Sequence, residues 1–237
     1  MRATEFEFRY RSWLNLAHFW LAFQVYGIDH VNFAEAISRW AAGPSHVRMH
    51  AIARLIFAFG TALVALAAAL RTWAAAYLRS DVVHDREIHL EILVADGPYR
   101  HVRNPLYLGT FLFSLGLGFL SSRLGFAILA GGAVIRILRL MGREESGLER
   151  EQGEGFREYC RRVPRLLPSL RPQLPSGMAI PKWGQAFRGE AVMWGFFLGM
   201  AVYTITLRAR IAWVVFEAAL ALWLLRLVSR ATQGRTA

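Results

Sequence analysis

Six apolar runs, separated by short polar joints, restrict this chain to few folds. They lie at about 13–28, 52–78, 105–121, 124–141, 190–207 and 211–228. Inside a bilayer a segment must satisfy its own backbone N–H and C=O groups, so runs of this kind predict helices. The 52–78 run is long enough to span with tilt. The 105–121 and 124–141 runs are slightly short for a hydrocarbon core of about 30 Å and call for local thinning or snorkelling Arg. Only "SSR" separates those two, and "RAR" turns the last pair, so each pair predicts a tight helical hairpin. The expected fold is all-α, a polytopic membrane bundle of about six transmembrane helices.

Charge supplies the orientation. The formal net charge is +11, and Lys182 is the only Lys. Basic charge can serve nucleic acid, anionic lipid or topology; here the Arg residues flank apolar runs and form no stripe, which selects topology over nucleic acid. With the 80–104 and 142–188 loops in the cytoplasm, all but six of the 28 Arg and Lys fall on that side. The exceptions are Arg39, Arg48, Arg54, Arg123, Arg208 and Arg210. Both termini are then cytoplasmic. The scarcity of Lys fits a GC-rich genome, hence a bacterial inner membrane. Glu5, Glu7 and several Arg precede the first run, and no small-residue cleavage site follows it, so the first helix reads as uncleaved. Cys160 is the sole Cys, which excludes an internal disulfide.

The chain divides into N-terminal helices (1–79), a central block (80–172), and a linker with a C-terminal hairpin (173–237). The central block holds the polar equipment. In "GPYRHVRNPLYLG", Gly97 to Gly109, Pro98 and Pro105 push the preceding residues out of the α region and produce a bent loop that ends in a helix start. Such a start leaves backbone N–H groups free for an anion. Tyr99, Arg100, Arg103 and Tyr107 also suit plain interfacial anchoring. Glu144 and Glu145 follow Arg136, Arg139 and Arg143 near the end of the fourth run, where i,i+4 pairing on a solvated face explains them equally well. "YCRRVPRLLP", 159–168, fits a basic membrane-surface linker, and the later Pro residues forbid regular helix. His46 and His50 have metal-pair spacing but no third ligand nearby. Zincin, serine-hydrolase, Walker and dinucleotide patterns are absent.

Taken in order, "GPYRHVRNPLYLG", an apolar hairpin, "EESGL" and "GEGFREYCRRVPRLLP" resemble the isoprenylcysteine carboxyl methyltransferase family over about 80–170. These are integral membrane enzymes that use S-adenosyl-L-methionine and are related to membrane phospholipid methyltransferases. The resemblance implies a cofactor pocket on the cytoplasmic side, open to water for the cofactor and to the bilayer for a lipid or prenylated acceptor. It implies cofactor contacts at His84, at Glu91, Ile92, Leu93 and Val94, at Tyr99, at Arg103, Asn104, Pro105 and Tyr107, and at Glu144. A carboxylate acceptor is already ionised and needs only a cation such as Arg139 to aim it, whereas an amine acceptor must lose a proton, for which Glu144 and Glu145 are the candidates. Two positions depart from the family pattern. Asn104 stands where the family has His, and Leu140 stands where prenylcysteine-methylating members place Arg. The acceptor is therefore open. A sterol-type NADPH-dependent membrane reductase shares parts of the motif, and a non-catalytic membrane scaffold is the third reading.

Overall fold

The structure, a computed structural model, describes residues 2–78, 96–211, 213–218, 221 and 225. It is all-α over these residues. In chain order the helices are α1 (Glu5–Arg9), α2 (Arg11–Gln24), α3 (Phe33–Ala42), α4 (His46–Tyr77), α5 (Pro105–Gly118), α6 (Arg123–Gln152), α7 (Glu154–Arg162), α8 (Trp183–Gly189) and α9 (Ala191–Thr206). Short 3-10 turns cover Val25–Gly27 and Gly97–Arg100. Residues 213–218 are helical as well.

Helix α4 is the axis of the bundle, with α3, α5, α8 and α9 packed against it, while α6 packs on α5 and α2. Small residues bring the first pair together. A Cβ added at Gly116 would sit 2.6 Å from Val64 Cγ2 and 2.7 Å from the Gly60 carbonyl oxygen. The α4 and α5 backbones therefore touch, the contact that small residues permit between membrane helices. Around the crossing Val64, Ala67, Phe113, Leu117 and Met200 form a buried cluster that recruits α9. On the far side, His18 donates from Nε2 to the Ile128 carbonyl at 2.9 Å, tying α2 to α6.

Among the described residues two helices, α4 and α6, are long and apolar enough to cross a membrane; α5 and α9 are apolar but shorter. The expected six spans are not all shown among the described residues, which give these two and the two shorter apolar helices. Three further details differ from the sequence reading. Helix α4 begins at His46, six residues before its apolar run, because Ser45 caps it by accepting from the Arg48 N–H. The amphipathic α3 was not anticipated; Asn32 caps it and also donates to the Leu120 carbonyl at 3.1 Å, fastening it to the α5–α6 turn. The helix continuing from the fourth run breaks at Gly153, whose φ of +58° suits glycine, so α7 is a separate element. The Pro-rich 164–182 stretch contains no helix, as its sequence requires.

Candidate functional site

The Gly97–Asn104 loop sits where α4 ends, α5 begins and α6 approaches its C-terminal turns. Gly97 has φ +57°, and its missing Cβ leaves room for the Tyr77 ring. Pro98 and Tyr99 are buried. The loop is zipped to the segment after α7 by backbone hydrogen bonds. Arg103 donates to the Pro164 carbonyl, Ser169 to that of His101, and Gln173 to that of Arg100, each at 2.9 Å. Side chains add to the zipper: Arg100 Nε donates to the Leu174 carbonyl at 2.7 Å, and the Tyr159 hydroxyl to the Tyr99 carbonyl at 2.8 Å. Asp96, which the sequence did not single out, is 3% exposed and accepts from Ser176 Oγ and from the N–H groups of Gly177 and Ala179. The three motifs that are separate in sequence thus form one layer.

Glu145 is the hub of that layer. It accepts from Asn104 Nδ2 at 3.0 Å and pairs with Arg165 at 2.8 Å and Arg103 at 3.4 Å. Arg103 further donates to Cys160 Sγ at 2.8 Å, and burial pushes the Cys160 thiol up from its ordinary pKa. A cavity of about 780 Å³ opens beside the hub, touching Gly142, Glu145, Ser146, Cys160 and Arg165. That volume lies in the range of small-molecule sites.

Glu144 faces elsewhere, since neighbouring helix residues point about 100° apart. Its half-buried carboxylate lies in hydrogen-bonding reach of the Tyr107 hydroxyl, with Arg11 of α2 close enough to act on it. Nearby, the Tyr99 hydroxyl is buried without a hydrogen-bond partner, and burial raises its pKa. Arg71, Glu144 and Glu190 all act on that hydroxyl. Asn104 occupies the cap position of α5 but spends its amide on Glu145 and on the Arg165 carbonyl, and Pro105 at the first helical position has no N–H. The remaining first-turn N–H groups of α5 have no side-chain cap.

Two participants escaped the sequence reading. Arg71, inside α4, grips Glu190 with Nε at 2.7 Å and Nη2 at 2.9 Å, while Nη1 donates to Thr110 Oγ1 at 2.8 Å and to the Leu106 carbonyl at 3.2 Å. It lies over Gly109, where a Cβ would meet its side chain, and so joins α4, α5 and the start of α9 behind Tyr99. An Arg in an apolar run was the available signal, because such a residue needs a partner. Arg11, contributed by α2, is the second.

The structure brings together Tyr99, Arg103, Asn104, Pro105, Tyr107, Glu144 and Glu145. It does not bring Arg139 to them. The Arg139 guanidinium holds Glu7 at 2.8 and 3.0 Å, fixing α1 to α6. His84, Glu91, Ile92, Leu93 and Val94 lie outside the described residues.

The family model of the phospholipid methyltransferases matches residues 55–153, from within α4 to the glycine that ends α6. The match covers less than half of the chain and makes those residues similar to the phospholipid methyltransferases. Methyltransferases of this family use S-adenosyl-L-methionine, and their name marks a lipid acceptor. No curated protein and no solved structure matches the chain. The matched residues contain the Gly97–Gly109 loop and both glutamates. Arg11, Tyr159, Arg165 and Glu190 reach them from outside the match.

Glu7 gives the N-terminal attachment a pH dependence. Its carboxylate is held down to about 2 from an ordinary 4.5, first by the Arg139 hydrogen bond and then by the Thr4 N–H. A carboxylate with a lowered folded pKa stabilises above its ordinary pKa, and the contribution fades as pH falls through the folded value. A nitroxide introduced on α1 through Phe6→Cys, in a Cys160→Ala background, is therefore expected to gain mobility between about pH 4.5 and about pH 2. Adding Glu7→Gln should make it mobile already at neutral pH. An unchanged spectrum across that window would contradict the attachment.

Proposed function

We propose that this protein is an S-adenosylmethionine-dependent membrane methyltransferase acting on a lipid-like acceptor, with Tyr99, Asn104, Tyr107 and Glu144 forming its cofactor wall. The observation that carries the assignment to these residues is the unpartnered, buried Tyr99 hydroxyl, within electrostatic range of Arg71, Glu144 and Glu190 and in the loop that leads into the uncapped α5. A buried hydroxyl without a partner costs about 1–3 kcal/mol, a cost that a polar ligand relieves. The donor set suits the cofactor. First-turn N–H groups of α5 fit its carboxylate, Glu144 fits its ammonium or ribose, and the Tyr99 and Tyr107 rings fit adenine or the sulfonium. When bound, the cofactor supplies an electrophilic methyl group on a sulfonium.

The protein's own contribution is alignment and exclusion of water. Arg71 fixes the α5 start, and the zippered 164–174 segment covers the loop. A carboxylate acceptor arrives ionised and needs no base. An amine acceptor must first lose a proton, and Glu144 is the carboxylate placed to take it; Glu145 is committed to Arg103, Arg165 and Asn104. The kinship proposed here extends to the isoprenylcysteine carboxyl methyltransferases, with the loop motif and the "REYCRRVPRLLP" segment as its support.

Calorimetry in detergent should show saturable binding of S-adenosylhomocysteine, weakened at least about tenfold by Tyr107→Ala or Glu144→Ala, a loss of about 1.4 kcal/mol. Tritiated methyl groups should pass from the cofactor into membrane lipid. Binding of NADPH without binding of the nucleoside product would replace this reading by a reductase.

A further inference from the structure

A second cavity, of about 380 Å³, lies between α1–α2 and α6, outside the layer described above. Leu14, Ala17, Leu21 and Leu140 give it an apolar wall. Arg11, Arg136 and Arg139 also line it, with Glu7 as the only acidic residue. Arg139 is neutralised by Glu7. Arg136 is not neutralised by any described residue: its guanidinium donates to the Leu14 carbonyl and to Asn15 Oδ1, both uncharged. Arg11 has a carbonyl partner in Phe8 and lies over the Phe8 ring, again without an ion pair among the described residues. A guanidinium set into an apolar helix without a counter-charge is costly. The cavity thus combines an apolar wall with one guanidinium that lacks a counter-charge, Arg136, and a second, exposed one, Arg11.

We propose that this cavity binds a membrane amphiphile with an anionic headgroup, its phosphate or carboxylate held by Arg136 and Arg11 and its hydrocarbon chain lying along Leu14, Leu21 and Leu140. The cavity adjoins the cofactor wall, because its lining residues Arg136 and Leu140 are sequence neighbours of Ile137 and Met141 on α6, against which Tyr107 packs. The amphiphile is therefore the methyl acceptor, a role that rests on the function proposed above, whereas its binding does not. Helices α1 and α2 lie before residue 55, so this selection is added by the chain to the matched residues.

The test is calorimetry on the full chain in non-ionic detergent with three probes: oleoyl lysophosphatidic acid, oleoyl lysophosphatidylcholine and glycerol 3-phosphate. The anionic lipid should bind at least about tenfold more tightly than the zwitterionic one, as a partly desolvated charge pair implies, and the free headgroup should not bind measurably. Arg136→Gln keeps donors for Leu14 and Asn15 but removes the charge, and should abolish the preference. Arg136→Lys should retain it, and Arg11→Gln, on an exposed helix start, should weaken it roughly threefold. Binding of S-adenosylhomocysteine by each variant controls for folding. Equal affinity for the two lipids, an unaltered preference in Arg136→Gln, or binding of glycerol 3-phosphate as tight as that of the lipid would overturn the proposal. If the anionic lipid binds as expected and S-adenosylhomocysteine does not, the lipid site stands and the methyltransferase reading falls.

Discussion

Glu145→Ala is expected to lower stability by about 2–3 kcal/mol, and Glu144→Ala, one residue away, by less than about 1 kcal/mol. Glu145 has only 18% of its side chain exposed and serves Arg103, 17% exposed, together with Asn104 and Arg165. Removing it leaves one largely buried cation and one amide short of an acceptor, and loss of a single partner from such a group is the costly case. Arg165 is 40% exposed and regains water, which keeps the expected loss below that for a fully buried pair. Thermal unfolding in detergent, followed by tryptophan emission, measures the difference. Glu145→Gln should recover part of it, since its amide oxygen still accepts from Asn104. Glu144→Ala should instead remove cofactor binding while the unfolding midpoint barely moves. Equal midpoints for the two Ala variants would mean that the hub does not hold the loop.

The largest structural effect is expected at Gly116. Val in its place puts a Cβ 2.6 Å from Val64 Cγ2 and 2.7 Å from the Gly60 carbonyl oxygen. The second of these atoms is backbone in the opposing helix, so no rotamer change relieves the clash, and α4 and α5 must separate. Overpacking of this kind costs about 3 kcal/mol or more, and here it also opens the cluster of Val64, Phe113 and Met200. Gly116→Val should therefore yield little monodisperse protein, whereas Gly131→Ala, with nothing within 4 Å, should gain up to about 1 kcal/mol from helix propensity. Size-exclusion profiles and unfolding midpoints of the two variants make the comparison. A well-behaved Gly116→Val protein would show that the close crossing is dispensable.

The legible parts of this molecule are those governed by local chemistry. Long apolar runs become helices because lipid leaves the backbone no other partner. Pro98 and Pro105 bend the chain ahead of a helix start and the later prolines forbid regular helix, so the bent loop and the irregular 164–182 stretch were readable in advance. Helix α3 was obscured because its apolar positions are interleaved with Glu35, Ser38 and Arg39, so no continuous run marks it. The neighbours Glu144 and Glu145 looked equivalent, yet helical geometry turns one toward Tyr107 and the other into an ionic hub. Arg139 looked available and is spent on Glu7.

By itself, then, the sequence determined an all-α fold with helices apolar enough to cross a membrane, the bent Gly97–Gly109 loop, and the residues gathered around it. Tertiary structure alone decided their assignments: Arg71 to Glu190, Arg139 to Glu7, Glu145 to Arg103, Asn104 and Arg165, and Arg136 to no counter-charge among the described residues. The reason is one of range. Helix formation and chain breaking depend on a few adjacent residues, whereas the partner of a charge depends on which distant helix face packs opposite it, and α4 meets α9 only after more than a hundred intervening residues.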